Sequence, residues 1–89
     1  MMQQQTYFNT GEVCEKMLEI DSRIMYAGYL KSDGCLESET MRKAIAYYNE
    51  LTIMSLPIQT HGDSIVLAVR VDSDISEVVS RAKELIVPH

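Results

Sequence analysis

The chain has 89 residues, a formal net charge of −5 at pH 7 and a sequence pI near 4.8. Hydrophobic residues make up 46% and charged residues 24%, proportions of a folded chain rather than a disordered one. Such a length holds one domain, which excludes separate cofactor and substrate domains.

Residues 1–8 carry no basic n-region and no apolar h-region, so they read as an N-terminal tail and not as a signal peptide. A single domain is expected over residues 9–89. Asn9 and Glu12 form a capping-box-like pair at the start of a helix over residues 9–20. Val13, Met17 and Ile20 recur at helical spacing beside Cys14 and Leu18, with Glu15, Lys16 and Glu19 outside the stripe.

Residues 23–31 are apolar on both alternating sets, which predicts a strand covered on both faces. Asp33-Gly34 then predicts a two-residue hairpin turn, with a short returning strand from Cys35.

Residues 38–51 admit two readings. As a helix, Ser38 caps it and Met41, Ala44, Ile45 and Tyr48 share a face. As a strand, Ala44 to Tyr48 turns at Asn49-Glu50 into the next strand. Propensity favours helix up to Ala46, and the paired tyrosines favour strand after it.

Residues 51–58 are strand-like, with Pro57 marking an edge or a bulge. A loop over 59–63 leads to a strand over 64–71, with Ile65, Leu67, Val69 and Val71 on one face. Asp74 and Glu77 then open a final helix whose apolar stripe is Ile75, Val78, Val79, Ala82, Leu85 and Ile86, ended by Pro88. The order helix, hairpin, undecided segment, hairpin, helix defines an α+β fold: an antiparallel sheet of four to five strands flanked by N-terminal and C-terminal helices.

The chemistry-bearing residues offer little convergence. The charge imbalance is −3 over residues 1–22, zero over 23–50 and −2 over 51–89, so no Lys/Arg cluster stands ready for phosphates and nucleic acid is not an expected partner. Apolar runs reach five residues, as in Ile65-Val66-Leu67-Ala68-Val69, against the ~20 of a membrane span, so membrane insertion is not expected. Cys14 and Cys35 form no CxxC pair and have no histidine cluster near them, which favours two reduced thiols in a cytoplasm over a disulfide or zinc site. Cys14 reads as a buried small hydrophobe, and Cys35 as the more exposed thiol. The glycines at 11, 28, 34 and 62 fit no nucleotide-binding spacing.

Asp72-Ser73-Asp74 imitates the start of a calcium loop, but Glu77 and Lys83 stand where that loop needs glycine and glutamate, so it reads as a helix cap. His61, Asp63 and Ser64 are triad residue types crowded into one loop, where turn chemistry explains them better. An enzyme using Cys35 or His61 ranks last among the readings, and no catalytic residue, metal or cofactor is expected. The tyrosines and six methionines pack a core or line a surface, and both residue types suit partner contact.

Several stretches together resemble the roadblock/dynein-light-chain superfamily, and small archaeal members of it in particular. They are Asp21-Ser22-Arg23-Ile24-Met25-Tyr26-Ala27-Gly28 with the following Asp33-Gly34, then residues 47–58, then the strand 65–71 with its acidic turn and closing helix. The resemblance spans roughly residues 12–86. It implies a profilin-like fold with a five-stranded sheet. It also implies a non-catalytic regulatory module that works as a homodimer or complex subunit, with a small GTPase as a partner by analogy. Members of that superfamily place a long helix between the two hairpins, and here only residues 37–43 are left for it. Part of a sheet face should therefore stay uncovered and favour self-association. Met41, Tyr47, Tyr48 and Met54 are the expected apolar anchors. A small-molecule sensor with a cupped sheet is the alternative.

Overall fold

The computed structural model runs α1 (Thr10–Ile20), β1 (Ile24–Leu30), β2 (Leu36–Met41), a 3₁₀ helix (Lys43–Tyr47), β3 (Leu51–Pro57), β4 (Ser64–Arg70) and α2 (Ile75–Ile86). It describes residues 9–58 and 62–86, so the tail 1–8, His61 and Pro88 lie outside the described residues. The fold is α+β. Its sheet has four strands in the order β2-β1-β4-β3, every neighbouring pair antiparallel. Two hairpins lie side by side through β1 and β4, which leaves β2 and β3 as the edges.

α1 begins where expected. The Asn9 side chain accepts a bond from the Glu12 backbone amide at 3.0 Å, which satisfies one of the donors a helix start leaves over. The other end is closed from a distance. The Arg42 guanidinium donates to the carbonyls of Leu18, Asp21 and Ile24, so a residue just past β2 caps the last turn of α1. α2 starts on Asp74, whose carboxylate accepts from the Glu77 amide at 3.3 Å.

The undecided segment resolves into neither reading as a whole. Residues 36–41 pair with β1 as strand β2, and only Lys43–Tyr47 turns helically, as 3₁₀. Pairing wins over helix propensity because Leu-Glu-Ser-Glu-Thr-Met can place Ser38 and Thr40 toward α1 while β1 satisfies its backbone. Ser38 is no helix cap; its hydroxyl lies 2.6 Å from that of Thr10 and ties β2 to α1.

The turn between β1 and β2 also differs from expectation. Lys31 and Cys35 close the hairpin through a bond of 2.8 Å, leaving the three-residue loop Ser32-Asp33-Gly34. Gly34 sits at φ +92°, the left-handed position such a loop needs. β2 therefore starts at Leu36 rather than Cys35, after a register shift at Tyr29/Leu30.

One cluster forms the core. Cys14 and Met17 of α1, Val78 and Ala82 of α2, Ala27 and Tyr29 of β1, and Ile65, Leu67 and Val69 of β4 pack together with Ile24, Leu56 and Ile58. Since Ala27, Tyr29, Ile65, Leu67 and Val69 alternate onto one side of the sheet, both helices cover that same side. The helices cover the Ala27 and Tyr29 side of β1, while on its other side Gly28 is buried and Tyr26 and Leu30 are half-buried. Val71 lies in the turn beyond β4, 52% exposed, and not on the buried stripe.

Candidate interaction surface

The side of the sheet away from the helices follows from strand register. Its first row is Leu36, Leu30, Ser64 and Pro57; its second is Glu39, Gly28, Val66 and Ser55; its third is Met41, Tyr26, Ala68 and Ile53. Arg70 and Leu51 complete it at the end where β4 stops. Among the described residues α1 and α2 pack on the other side of the sheet. Leu36, Met41 and Ile53 remain 47%, 51% and 64% exposed, although soluble chains usually keep large apolar groups apart.

Tyr26 organises the middle of this face. Its phenol donates to Glu39 Oε1 at 2.9 Å. The ring side leans over Gly28, where an added Cβ would meet the phenol oxygen at 2.6 Å. Burial, and then the bond to Glu39, push the Tyr26 phenol up to about 12, so it stays protonated and donating near neutral pH.

The face continues past Arg70 into an open cleft of about 440 Å³ lined by Tyr47, Tyr48, Asn49, Glu50, Arg70, Val71 and Asp72. Tyr47 is 87% exposed and Tyr48 37%. Arg70 Nε is buried without a hydrogen-bond partner among the described residues.

Of the four expected anchors, Met41 lies on the open face, and Tyr47 and Tyr48 border it through Arg70. Met54 does not join them; it alternates to the helix side and packs against the core. Ile53, Leu36, Tyr26 and Val66 share that face with Met41 and are not among the four expected anchors. For Ile53 a signal existed: in a strand it must face away from Met54.

The remaining candidates have structural roles. Cys14 is buried in the core, and burial raises its thiol. Cys35 is exposed, and the neighbouring Asp33 carboxylate raises its thiol too, the opposite of an activated thiolate. Asp63 accepts from the Tyr29 phenol at 2.7 Å and from the Ser32 amide at 2.9 Å, which fastens the end of the second hairpin to the turn of the first. Asp74 caps α2. Among the described residues no three His, Cys, Asp or Glu side chains gather as a metal site, and no helix is long and apolar enough to cross a membrane.

No family model, curated protein or solved structure matches the chain.

Proposed function

We propose that this protein is a non-catalytic interaction module, acting as a homodimer or as a subunit of a regulatory complex, and that it docks through the open face of its sheet. One observation carries the reading: Leu36, Met41 and Ile53 stand exposed on the side of the sheet that, among the described residues, α1 and α2 leave uncovered. Leaving such a face in water forgoes roughly 25 cal/mol for each Å² of apolar surface that a partner could bury. The order of elements supports the same reading through the resemblance to roadblock-like modules, in which a docking surface rather than a nucleotide site does the work. A small GTPase is the partner class that resemblance brings with it.

Site-specific photo-crosslinking tests this. A photo-reactive phenylalanine analogue replacing Ile53 should give a covalent adduct in the source cells, and the same analogue replacing Glu15, exposed on α1, should not. The adduct's mass separates a second copy from a foreign polypeptide. Equal, background-level labelling at both positions defeats the proposal.

A further inference from the structure

The two edges of the sheet are built differently. β2 carries Glu37 and Glu39, and its register against β1 shifts at Tyr29/Leu30. Charge and bulges are the devices that keep an edge strand from taking up another strand. β3 reads Leu-Thr-Ile-Met-Ser-Leu-Pro. It has no charged residue, and its pairing with β4 runs from Leu51 to Pro57 without a shift. Only Pro57, at its last position, blunts it.

The free backbone groups of β3 follow from the register. The Arg70 amide donates to the Arg23 carbonyl, so Arg70, and in phase with it Ser64, Val66 and Ala68, bond toward β1. Ile65, Leu67 and Val69 therefore bond toward β3, where they face Leu56, Met54 and Thr52. The bond from the Ile58 amide to the Asp63 carbonyl keeps the same phase. Leu51, Ile53 and Ser55 thus turn their N–H and C=O groups outward, and among the described residues no strand pairs with that edge. A row of alternate amides and carbonyls is complementary to one kind of occupant, an extended backbone. Ile53, exposed on the open side, and Met54, only partly buried on the helix side, leave apolar surface on both sides of the edge.

Charge decides whose backbone it is. Glu50 stands immediately before β3, exposed and in no ion pair among the described residues. A second β3, paired antiparallel, would lay residues from Leu56 to Ile58 opposite Glu50, apolar groups rather than a cation, and would bring a second net charge of −5. We infer that the free edge of β3 takes up an extended segment of a foreign polypeptide, paired antiparallel, apolar at alternate positions and carrying a lysine or arginine opposite Glu50 at its C-terminal end. This rests on the interaction-module reading and names the chemistry of its partner. The added strand lies ~4.8 Å beyond β3 and carries both layers of side chains one strand further.

Selection from a phage-displayed library of random nonapeptides on the immobilised full chain supplies the probe. The selected peptides should alternate apolar residues and end in a lysine or arginine. For one such synthetic peptide, N-methylation at every second residue should weaken binding about tenfold or more, and at the residues between by less than about threefold, read by fluorescence anisotropy. Ser55→Pro removes an outward N–H and no bond to β4, so it should weaken the peptide about tenfold or more while the thermal midpoint stays near the parent's. The N-methyl scan does not depend on that variant folding. Glu50→Lys, an exposed change, should weaken the peptide about threefold, and a peptide with its cation exchanged for glutamate should regain that loss. A library that enriches nothing over an irrelevant protein overturns the inference. So does a peptide indifferent to the alternation of N-methyl groups, or one that the folded Ser55→Pro chain binds as the parent does. A reversible dimer in sedimentation that Ser55→Pro dissolves gives the edge to a second copy and overturns it too. In each case an adduct from position 53 leaves the interaction-module reading standing; an edge without a peptide together with a position 53 without an adduct ends both.

Discussion

Tyr29 and Tyr26 belong to the same strand, and each donates its phenol to a carboxylate, Tyr29 to Asp63 and Tyr26 to Glu39. Tyr29 is 4% exposed beneath the helices and its acceptor is buried; Tyr26 faces the open side and its acceptor is exposed. One bond closes a core, and the other arranges a surface. The same division runs through the whole sheet. On the helix side Ile65, Leu67 and Val69 reach 0% exposure, while on the opposite side Ile53, next to them on β3, is left 64% exposed. Strand alternation supplies both faces with apolar residues, but the chain has helices enough to cover one.

The largest expected effect breaks that comparison directly. Leu67→Ala should cost about 2–5 kcal/mol by chemical denaturation, as a cavity in close-packed surroundings does. Ile53→Ala, an exposed change of similar chemistry, should stay within about 0.5 kcal/mol while the protein is monomeric. Similar costs at both positions would mean that the open face is not open.

The next effect belongs to the junction under the helices. Asp21 is 5% exposed, and its carboxylate receives two side-chain bonds from Arg23, at 2.8 and 2.6 Å. Those bonds hold its pKa near 2, below the 3.8 of a free carboxyl. The folded value is the lower one, so the stabilisation is complete above the free value and is lost as pH falls from about 4 toward 2. Asp21→Asn should therefore cost about 2 kcal/mol at neutral pH, with the gap from the parent closing over that window. A gap that is constant with pH would assign the loss to packing instead.

The two tyrosines give a smaller contrast. Tyr29→Phe removes a buried bond to a buried carboxylate and should cost about 1.5 kcal/mol. Tyr26→Phe loses only an exposed one and should cost about 0.5 kcal/mol or less.

Much of the local structure was legible in the chain itself. Asn9 with Glu12, and Asp74 with Glu77, announce two helix starts because their side chains answer amides only three residues away. Ile65, Leu67 and Val69 announce a half-buried strand because its period is two. Residues 38–51 were not legible, since Ala44, Ile45 and Ala46 suit a helix while Ser38 and Thr40 find their role only beside β1 and α1. Arg42 shows the same limit. Nothing near it in sequence reveals that its guanidinium serves the carbonyls of Leu18 and Asp21.

Of the proposed surface, Met41, Tyr47 and Tyr48 could be picked out by residue type, but Met54 could not be told from Ile53 without knowing which side the helices take. Caps, turns and periodicity were thus determined by the sequence alone, because they depend on groups within a few residues of one another. The strand order β2-β1-β4-β3, and with it which apolar side chains lie on the side away from the helices, was decided only by tertiary structure. It depends on backbone bonds and burial between segments tens of residues apart, and no local preference encodes them.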